Sequence, residues 1–182
     1  MSLSHALLGL VTYRPATGYE LKTAFNESIH FFWNATLPQI YRTLKQMEEK
    51  RWLTVAIEHQ DGKPSRKIYH VTEAGRKELQ EWLQVDPKIP EPREPMLIKV
   101  FFGNQMDPGH FLSHLQGWRD YHAGLLQKYE EEVTPIIEHY AKQTGAVEDA
   151  RYWSFTLDFG RRHAKMVVDW CDEILASMDQ KK

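Results

Sequence analysis

The sequence contains a single cysteine, Cys171, among 182 residues. A disulfide within the chain needs two cysteines, so the disulfide framework of a small secreted protein is excluded. One thiol is enough for a redox sensor, but apolar neighbours such as Val167 and Trp170 are more typical of a core side chain. The cysteine content is that expected of a protein from a reducing compartment.

Long hydrophobic runs are also missing. No apolar stretch approaches the roughly 20 residues that cross a bilayer as a helix, and the N-terminus shows no signal-peptide pattern. We therefore expect a cytoplasmic protein with no membrane partner.

The sequence lacks the motifs of common enzymes. It has no glycine-rich phosphate loop, no GxSxG elbow and no Cys–His dyad. His110 and His114 have the i, i+4 spacing of a metal-binding pair, but no HExxH glutamate, cysteine pair or third ligand accompanies them. Two exposed histidines are the simpler interpretation. We expect no catalytic residues, no metal and no cofactor.

Neither sign of charge is in large excess. The formal net charge is −2, so the whole-chain balance does not indicate a nucleic-acid-binding protein. The two halves differ slightly, with +2 for residues 1–83 and −4 for residues 84–182. A local patch of positive charge would matter more than these totals.

The most informative stretch that is present runs from residue 36 to residue 72. Thr36 and Gln39 have the spacing of a capping box, and Pro38 falls in a first turn, where a missing N–H costs little. The spacing predicts a short amphipathic helix with one buried stripe. The apolar residues of this stripe are Leu37, Ile40, Leu44 and Met47.

The other face of this predicted helix is polar. Arginine and glutamine bond guanine and adenine edges, while lysine and the tyrosine hydroxyl suit phosphate oxygens. A polar face on an isolated helix is usually only solvated, so the segment that follows must decide between solvent and DNA. The candidate DNA contacts are Thr36, Gln39, Tyr41, Arg42 and Lys45.

A β-hairpin is predicted directly after this helix. Residues 53–57 and 68–71 have the composition of strands, and Asp61-Gly62 is a strong turn dipeptide. Three cations near the predicted tip suit phosphates or the minor groove, although a charged tip also serves as a solubilising edge. These cations are Lys63, Arg66 and Lys67. A helix followed by a basic hairpin predicts a winged helix-turn-helix.

The flanking segments complete the domain and carry a resemblance. HALLGLVTYRPATGYELK, LPQIYRTLKQMEEKRWL and RKIYHVTEAGRKEL resemble, in this order, the PadR family of bacterial transcriptional regulators. The resemblance implies a homodimeric regulator, usually a repressor, whose C-terminal helices dimerise. By position it makes Tyr41 and Arg42 DNA contacts of a recognition helix, and it assigns the three hairpin cations to the wing. Trp52 stands where the family commonly has glycine.

The second half of the chain is predicted to be helical after a linker. Four prolines within residues 86–95 forbid a regular helix and favour an extended connector. Asp107-Pro108 opens a long helix that ends at Gly145, with a kink around residues 131–135, and a last helix covers about 147–178. Apolar residues on two sides of these helices predict a twofold dimer, which would hold two recognition helices about 34–36 Å apart over a palindromic operator.

Aromatic residues concentrate in this helical half. Aromatic walls with a few polar groups can hold a flat, partly apolar effector, and the family resemblance implies one such as a phenolic acid. Each of these side chains also has a simpler role in core or dimer packing. The candidate effector-binding residues are Trp118, His122, Trp153, His163 and Trp170.

The sequence therefore predicts a mainly α protein with a small β-hairpin. Residues 1–85 form a winged helix-turn-helix, residues 86–95 a Pro-rich linker, and residues 96–182 a helical dimerisation and effector-sensing domain. The predicted function is that of a dimeric, sequence-specific transcriptional regulator, a repressor relieved by a small aromatic or hydrophobic effector. The alternative is a winged-helix protein–protein adaptor that binds no specific DNA.

Overall fold

A computed structural model of the chain describes residues 2–60, 63–87, 89, 91 and 93–179, with only the backbone at Ser2, Gln60, Lys63 and Pro64. The chain divides into two compact units. One comprises Met1–Pro87 with Tyr140–Ala146, and the other Lys88–His139 with Val147–Lys182. We call them the winged unit and the helical unit, for the elements described below.

The winged unit combines four helices with a small sheet. The sheet is antiparallel and has the strand order β1-β3-β2. A single 3₁₀ turn, Ile29–Phe31, stands between the second and third helices. The helices are α1 (Ser2–Tyr13), α2 (Gly18–Glu27), α3 (Leu37–Glu49) and α4 (Glu73–Gln84), and the strands are β1 (Ala16–Thr17), β2 (Leu53–Gln60) and β3 (Lys63–Val71).

Side-chain caps mark where three helices of the winged unit begin, and the one at α3 is the capping box that the sequence predicts. Thr17 and Glu20 form a reciprocal capping box at α2, and Thr36 and Gln39 form a second one at α3. Thr72 caps α4 by accepting a hydrogen bond from the Gly75 N–H at 3.0 Å. Local sequence alone therefore fixes where three of these helices begin.

The core of the winged unit lies where α1, α2 and α3 meet the sheet. Ile40, Leu44 and Met47 are buried as the spacing predicts, but Leu37 is 37% exposed because it stands at the first position of α3. The remaining large side chains of this core are Leu7, Leu8, Leu10, Val11, Leu21, Phe25, Leu53 and Tyr69.

The end of α3 requires a left-handed residue. The Trp52 N–H donates to the Met47 carbonyl and the Arg51 N–H donates to the Glu48 carbonyl, both at 2.9 Å, which is a Schellman motif. Arg51 has a φ of 59°, the conformation that favours glycine. The position whose backbone suits glycine is therefore Arg51, which directly precedes Trp52, the position where the resemblance implies glycine.

Within the described residues, the helical unit contains three whole helices and the first part of a fourth, α7, whose residues 140–144 belong to the winged unit. These are α5 (Pro95–Phe101), α6 (Pro108–Lys128), α7 (Thr134–Thr144) and α8 (Asp149–Asp179). A π-helix, Tyr129–Val133, joins α6 to α7 and lies just before Pro135. π turns are a usual cause of helix kinks, and this one overlaps the segment, residues 131–135, where the sequence predicts a kink. Gly145, with a φ of 72°, ends α7.

The helical unit is held together by the pairing of α6 with α8. Phe111, Leu115, Val167 and Cys171 are its buried centre, which confirms Cys171 as a core residue. At the edge of this core, the Arg119 guanidinium donates to both carboxylate oxygens of Asp172, at 2.9 and 3.4 Å. Within the part of the chain that the structure describes, no helix is long and apolar enough to cross a membrane.

Candidate nucleic-acid interface

The exposed side of α3 presents polar residues beside its buried stripe. Tyr41, Arg42 and Lys45 are exposed, while Ile40 and Leu44 next to them are completely buried. An amphipathic helix of this kind is anchored to the core by one face and leaves the other free for a groove. The Lys45 ammonium lies 3.9 Å from the Glu49 carboxylate, but an exposed pair of this length holds the lysine only weakly.

Thr36 and Gln39 are already engaged with each other at the start of α3. The Gln39 side-chain carbonyl accepts from the Thr36 N–H at 2.8 Å and lies 3.0 Å from the Thr36 hydroxyl. These two predicted DNA contacts therefore also have a structural role, which is to satisfy backbone donors at the helix start. A DNA contact by Gln39 would use its amide N–H groups or exchange the capping bond.

Tyr41 is held in place by a close approach of α3 to α2. A Cβ atom at Gly18 would overlap the Tyr41 ring, so this position requires glycine for that ring to lie over the backbone. Burial raises the pKa of the nearby Tyr69 phenol, and Glu48 and Tyr41 add to the effect. Tyr41 nevertheless remains 44% exposed, which leaves part of the ring accessible from solvent.

The segment before α3 is fixed by a lysine that the sequence reasoning did not single out. The Lys22 ammonium donates to the carbonyl oxygen of Ala35 at 2.8 Å and lies 6.0 Å from the centre of the Phe25 ring. This bond ties α2 to the residues that lead into α3. Only the fold shows it, because 13 residues separate the two partners.

The wing differs from the prediction in where its cations lie. Arg66 pairs with Glu58 and Lys67 with Ile57 inside the β2–β3 ladder, so both stand in strand β3 rather than at the tip. Strand β3 begins at Lys63, five residues earlier than predicted, because the ladder continues beyond the hydrophobic core. Both side chains are exposed, and their strand positions direct them to opposite faces of the hairpin. The Lys63 side chain and the Asp61-Gly62 turn lie outside the described residues.

Strand β1 gives the wing a link to α2 that the sequence did not predict. Ala16 and Thr17 pair with Tyr69 and Ile68, so the start of α2 is hydrogen-bonded to the base of the wing. The pKa of Glu20 is lowered, first by hydrogen bonds from the backbone and side chain of Thr17, and also by Arg14 and Arg66. A two-residue strand has no periodicity, so no sequence signal could have revealed it.

In the helical unit, four of the five predicted effector-binding residues lie together. The rings of Trp118 and His122 are 5.6 Å apart, those of Trp118 and Trp170 are 5.7 Å apart, and those of His122 and His163 are 5.7 Å apart. His122 is buried and His163 is exposed.

Both halves of the chain match known protein families. Residues 7–81 match the transcriptional regulator PadR-like family, and residues 92–179 match the virulence activator alpha C-terminal domain. The chain belongs to the PadR-like family. The mainly α winged helix-turn-helix fold with a C-terminal helical domain is confirmed, and the chain is a DNA-binding regulator of transcription by family.

Two relatives match over nearly the whole chain. The "Probable transcriptional regulator Rv1176c" of Mycobacterium tuberculosis is 28% identical and is aligned over all of both chains. The "Negative transcriptional regulator PadR" of Bacillus subtilis is also 28% identical, over 98% of each chain. Both are named as regulators of transcription and neither as an enzyme.

Solved structures of PadR-like proteins share the fold. B. subtilis PadR in complex with operator DNA has a TM-score of 0.78 at 24% identity, over 97% of each chain. PadR in complex with p-coumaric acid has a TM-score of 0.64 at 26% identity, over 98% of this chain and 99% of that one. The Vibrio cholerae virulence activator AphA has a TM-score of 0.76 at 27% identity, over 99% of both.

Proposed function

We propose that this PadR-like regulator is a dimeric, sequence-specific repressor that binds a palindromic operator and releases it when a small aromatic effector binds. The observation that carries the proposal is the exposed polar face of α3, anchored by the buried side chains of Ile40, Leu44 and Met47 beside a two-stranded wing. A relative named as a negative regulator, and its structure with operator DNA, support the repressor assignment.

In this proposal some residues of the winged unit contact DNA bases and others contact the sugar-phosphate backbone of the DNA. Arg42 has the donors to bond a guanine edge, and Gln39 to bond an adenine edge. Tyr41 and Lys45 would contact phosphates, with Thr36 at the helix start. From strand β3 the wing would contact the flanking DNA phosphates through its three cations, Lys63, Arg66 and Lys67.

The proposed dimer is supported by an uncovered apolar stripe on α8. The large side chains at positions 152, 155, 159 and 166 follow helical spacing and are between 55 and 71% exposed. A stripe of this width is typical of a helix that packs against another subunit. The stripe consists of Tyr152, Phe155, Phe159 and Met166.

The domain roles follow from the same division. Residues 1–85 would bind DNA, residues 86–95 would set the spacing, and residues 96–182 would dimerise and sense the effector. A ligand among the helices would change the separation or tilt of the two winged domains, and a dimer that no longer matches both half-sites would lose much of its affinity.

The effector is proposed to be a small aromatic molecule such as a phenolic acid. The group formed by Trp118, His122, His163 and Trp170 offers aromatic surfaces with imidazole nitrogens, which suit a ring with a carboxylate or a hydroxyl. The structure of B. subtilis PadR with p-coumaric acid supports this class of ligand. Trp153, on the same helix as His163, is the fifth proposed contact.

DNA selection with the purified protein tests the main proposal. Genomic fragments would be enriched by binding, and the recovered site titrated at two salt concentrations. We expect a palindromic site whose affinity falls steeply with salt, because Lys and Arg contacts release counterions. A well-folded protein that enriches no sequence and shows no salt-dependent DNA binding would instead support the winged-helix adaptor.

Arg42→Ala then tests the reading of bases. We expect specific affinity to fall by about 1–3 kcal/mol, with little change on random DNA, because a base contact contributes only at the correct sequence. Arg76→Ala, which removes an exposed arginine from α4, is the matched control for loss of charge. Equal losses on specific and random DNA would contradict the role given to Arg42.

Lys67→Ala should mainly reduce the slope with which DNA affinity falls as the salt concentration rises.

A further inference from the structure

His122 is a buried histidine with an unused ring nitrogen. It lies on α6 with 7% of its surface exposed, and its Nδ1 atom has no hydrogen-bond partner among the residues that the structure describes. Buried polar atoms are nearly always paired, so an exception of this kind calls for an explanation. A neutral imidazole tolerates such a place far better than a charged one does, because an imidazolium must place two N–H donors.

The surroundings of His122 contain rings and a second histidine. The Tyr121 ring is 5.2 Å from it and the Trp118 ring 5.6 Å, both edge-on. His163, on α8, lies at 5.7 Å and is itself stacked on Phe159 at 6.4 Å. The two imidazoles therefore bridge the α6–α8 pair that holds the helical unit together.

The charges that reach His122 do not favour its protonation. Burial is the main cause that lowers its pKa, and the neighbouring His163 adds to this effect. Glu94, the cap of α5, acts in the opposite direction but does not outweigh the other two. Among the ring contacts described, Tyr121 is a further titratable neighbour of His122.

We propose that His122 and His163 form a proton-sensitive pair that loosens the packing of α6 against α8 when the surroundings become acidic. In the tight arrangement the buried His122 imidazole is neutral. When protons bind, a charge must enter a site without an acceptor for Nδ1, and two positive rings then face each other across the helix pair. The helical unit relieves this by separating the two helices and admitting water.

The direction of the effect follows from proton linkage. The unfolded chain binds a proton on His122 near the usual histidine pKa of 6.5, whereas the folded chain binds it only at lower pH. Folding is therefore favoured most above that value. As the pH falls through it, the unfolded state takes up more protons and the free energy of unfolding decreases.

Histidine titration by NMR tests the pair directly in the full chain. We expect one imidazole, assigned to His122 by its absence in His122→Phe, to titrate below the usual histidine pKa of 6.5. His163→Gln should shift this titration upward, because it removes the like charge from an exposed position without disturbing the core. His114→Gln, an exposed change on the same helix, should leave it where it is. An ordinary titration of His122, or one that His163→Gln does not move, would overturn the proposal.

Urea unfolding measures the consequence for the helical unit. The urea concentration at the unfolding midpoint of the wild-type chain should decrease as the pH is lowered from about 7.5 to about 5.5, the range in which histidine titrates. The fall should be smaller in His122→Phe, which keeps an aromatic ring but binds no proton, and unchanged in His114→Gln. An equal fall in all three proteins would mean that the other histidines carry the effect and that the pair has no regulatory role.

Coupling of this pair to operator release rests on the function proposed above, but neither of these measurements uses DNA. If DNA binding fails while His122 titrates as expected, only the proposed function is wrong. If the protein binds its operator but His122 titrates normally, only the proton-sensitive pair is wrong. An acid-induced loss of operator affinity that His122→Phe removes would support both.

Discussion

The winged unit and the helical unit bury their apolar side chains in different ways. In the winged unit, α1, α2 and α3 pack against the sheet, and large side chains such as Phe25 and Leu44 have no exposed surface. In the helical unit, two long helices share a narrow seam around Leu115 and Cys171 and leave aromatic side chains in water. The first unit encloses a core of its own, whereas the second leaves an exposed apolar stripe on α8 that would suit the proposed dimer.

The largest expected effect is on the closed core. Leu44→Ala should lower the free energy of unfolding of the winged unit by about 2–5 kcal/mol, because it deletes buried methyl groups from the stripe of α3 and leaves a cavity. Urea unfolding, monitored by tryptophan fluorescence, measures this decrease in the free energy of unfolding. Ile57→Ala, at a position that is 59% exposed, should change the result little. Similar losses from both changes would show that this core is less closed than described.

The next effect concerns the uncovered stripe of the helical unit. The double change Phe155→Ser and Phe159→Ser should weaken the proposed dimer by at least about 2 kcal/mol, since aromatic side chains dominate the energy of such interfaces. Sedimentation at several concentrations would measure the change. The same pair of changes should leave the winged unit folded, as judged by its own unfolding transition. A dimer that survives them unchanged would place the interface elsewhere.

Two glycines sharpen the contrast in packing. A Cβ at Gly75 would overlap the Trp52 carbonyl oxygen and lie 3.1 Å from a methyl group of Val71, so Gly75→Ala should cost about 1–3 kcal/mol of unfolding free energy. Gly117, on α6, has nothing within 4 Å, and Gly117→Ala should stabilise its helix by up to about 1 kcal/mol. Thermal unfolding of both variants tests this, and the same sign for both would contradict it.

The smallest effect is at the end of α3. Arg51→Gly should raise the free energy of unfolding by up to about 1 kcal/mol, because glycine adopts the observed left-handed conformation without the penalty of a Cβ. Gln46→Gly, an exposed change within the same helix, should instead lower it by about 1 kcal/mol. A loss in the Arg51 variant would show that its side chain contributes more than its backbone conformation costs.

Local signals in the sequence predicted much of the fold. The capping box at the start of α3 and the end of α7 at Gly145 depend on neighbouring residues, and both predictions are confirmed. The wing was predicted in kind but not in extent, because its ladder continues past the apolar residues that mark the strands. The predicted DNA-contacting and effector-binding residues remain predictions, although four of the latter lie together.

The sequence by itself determined the helices, the hairpin and the family, since periodicity, caps and turn residues act over a few positions. Tertiary structure decided the contacts between distant residues. It placed Tyr41 over Gly18, bound Lys22 to the Ala35 carbonyl, paired β1 with β3 and buried His122 beside His163. These depend on how elements pack against one another, and no local pattern encodes the burial or the charge that a side chain will meet there.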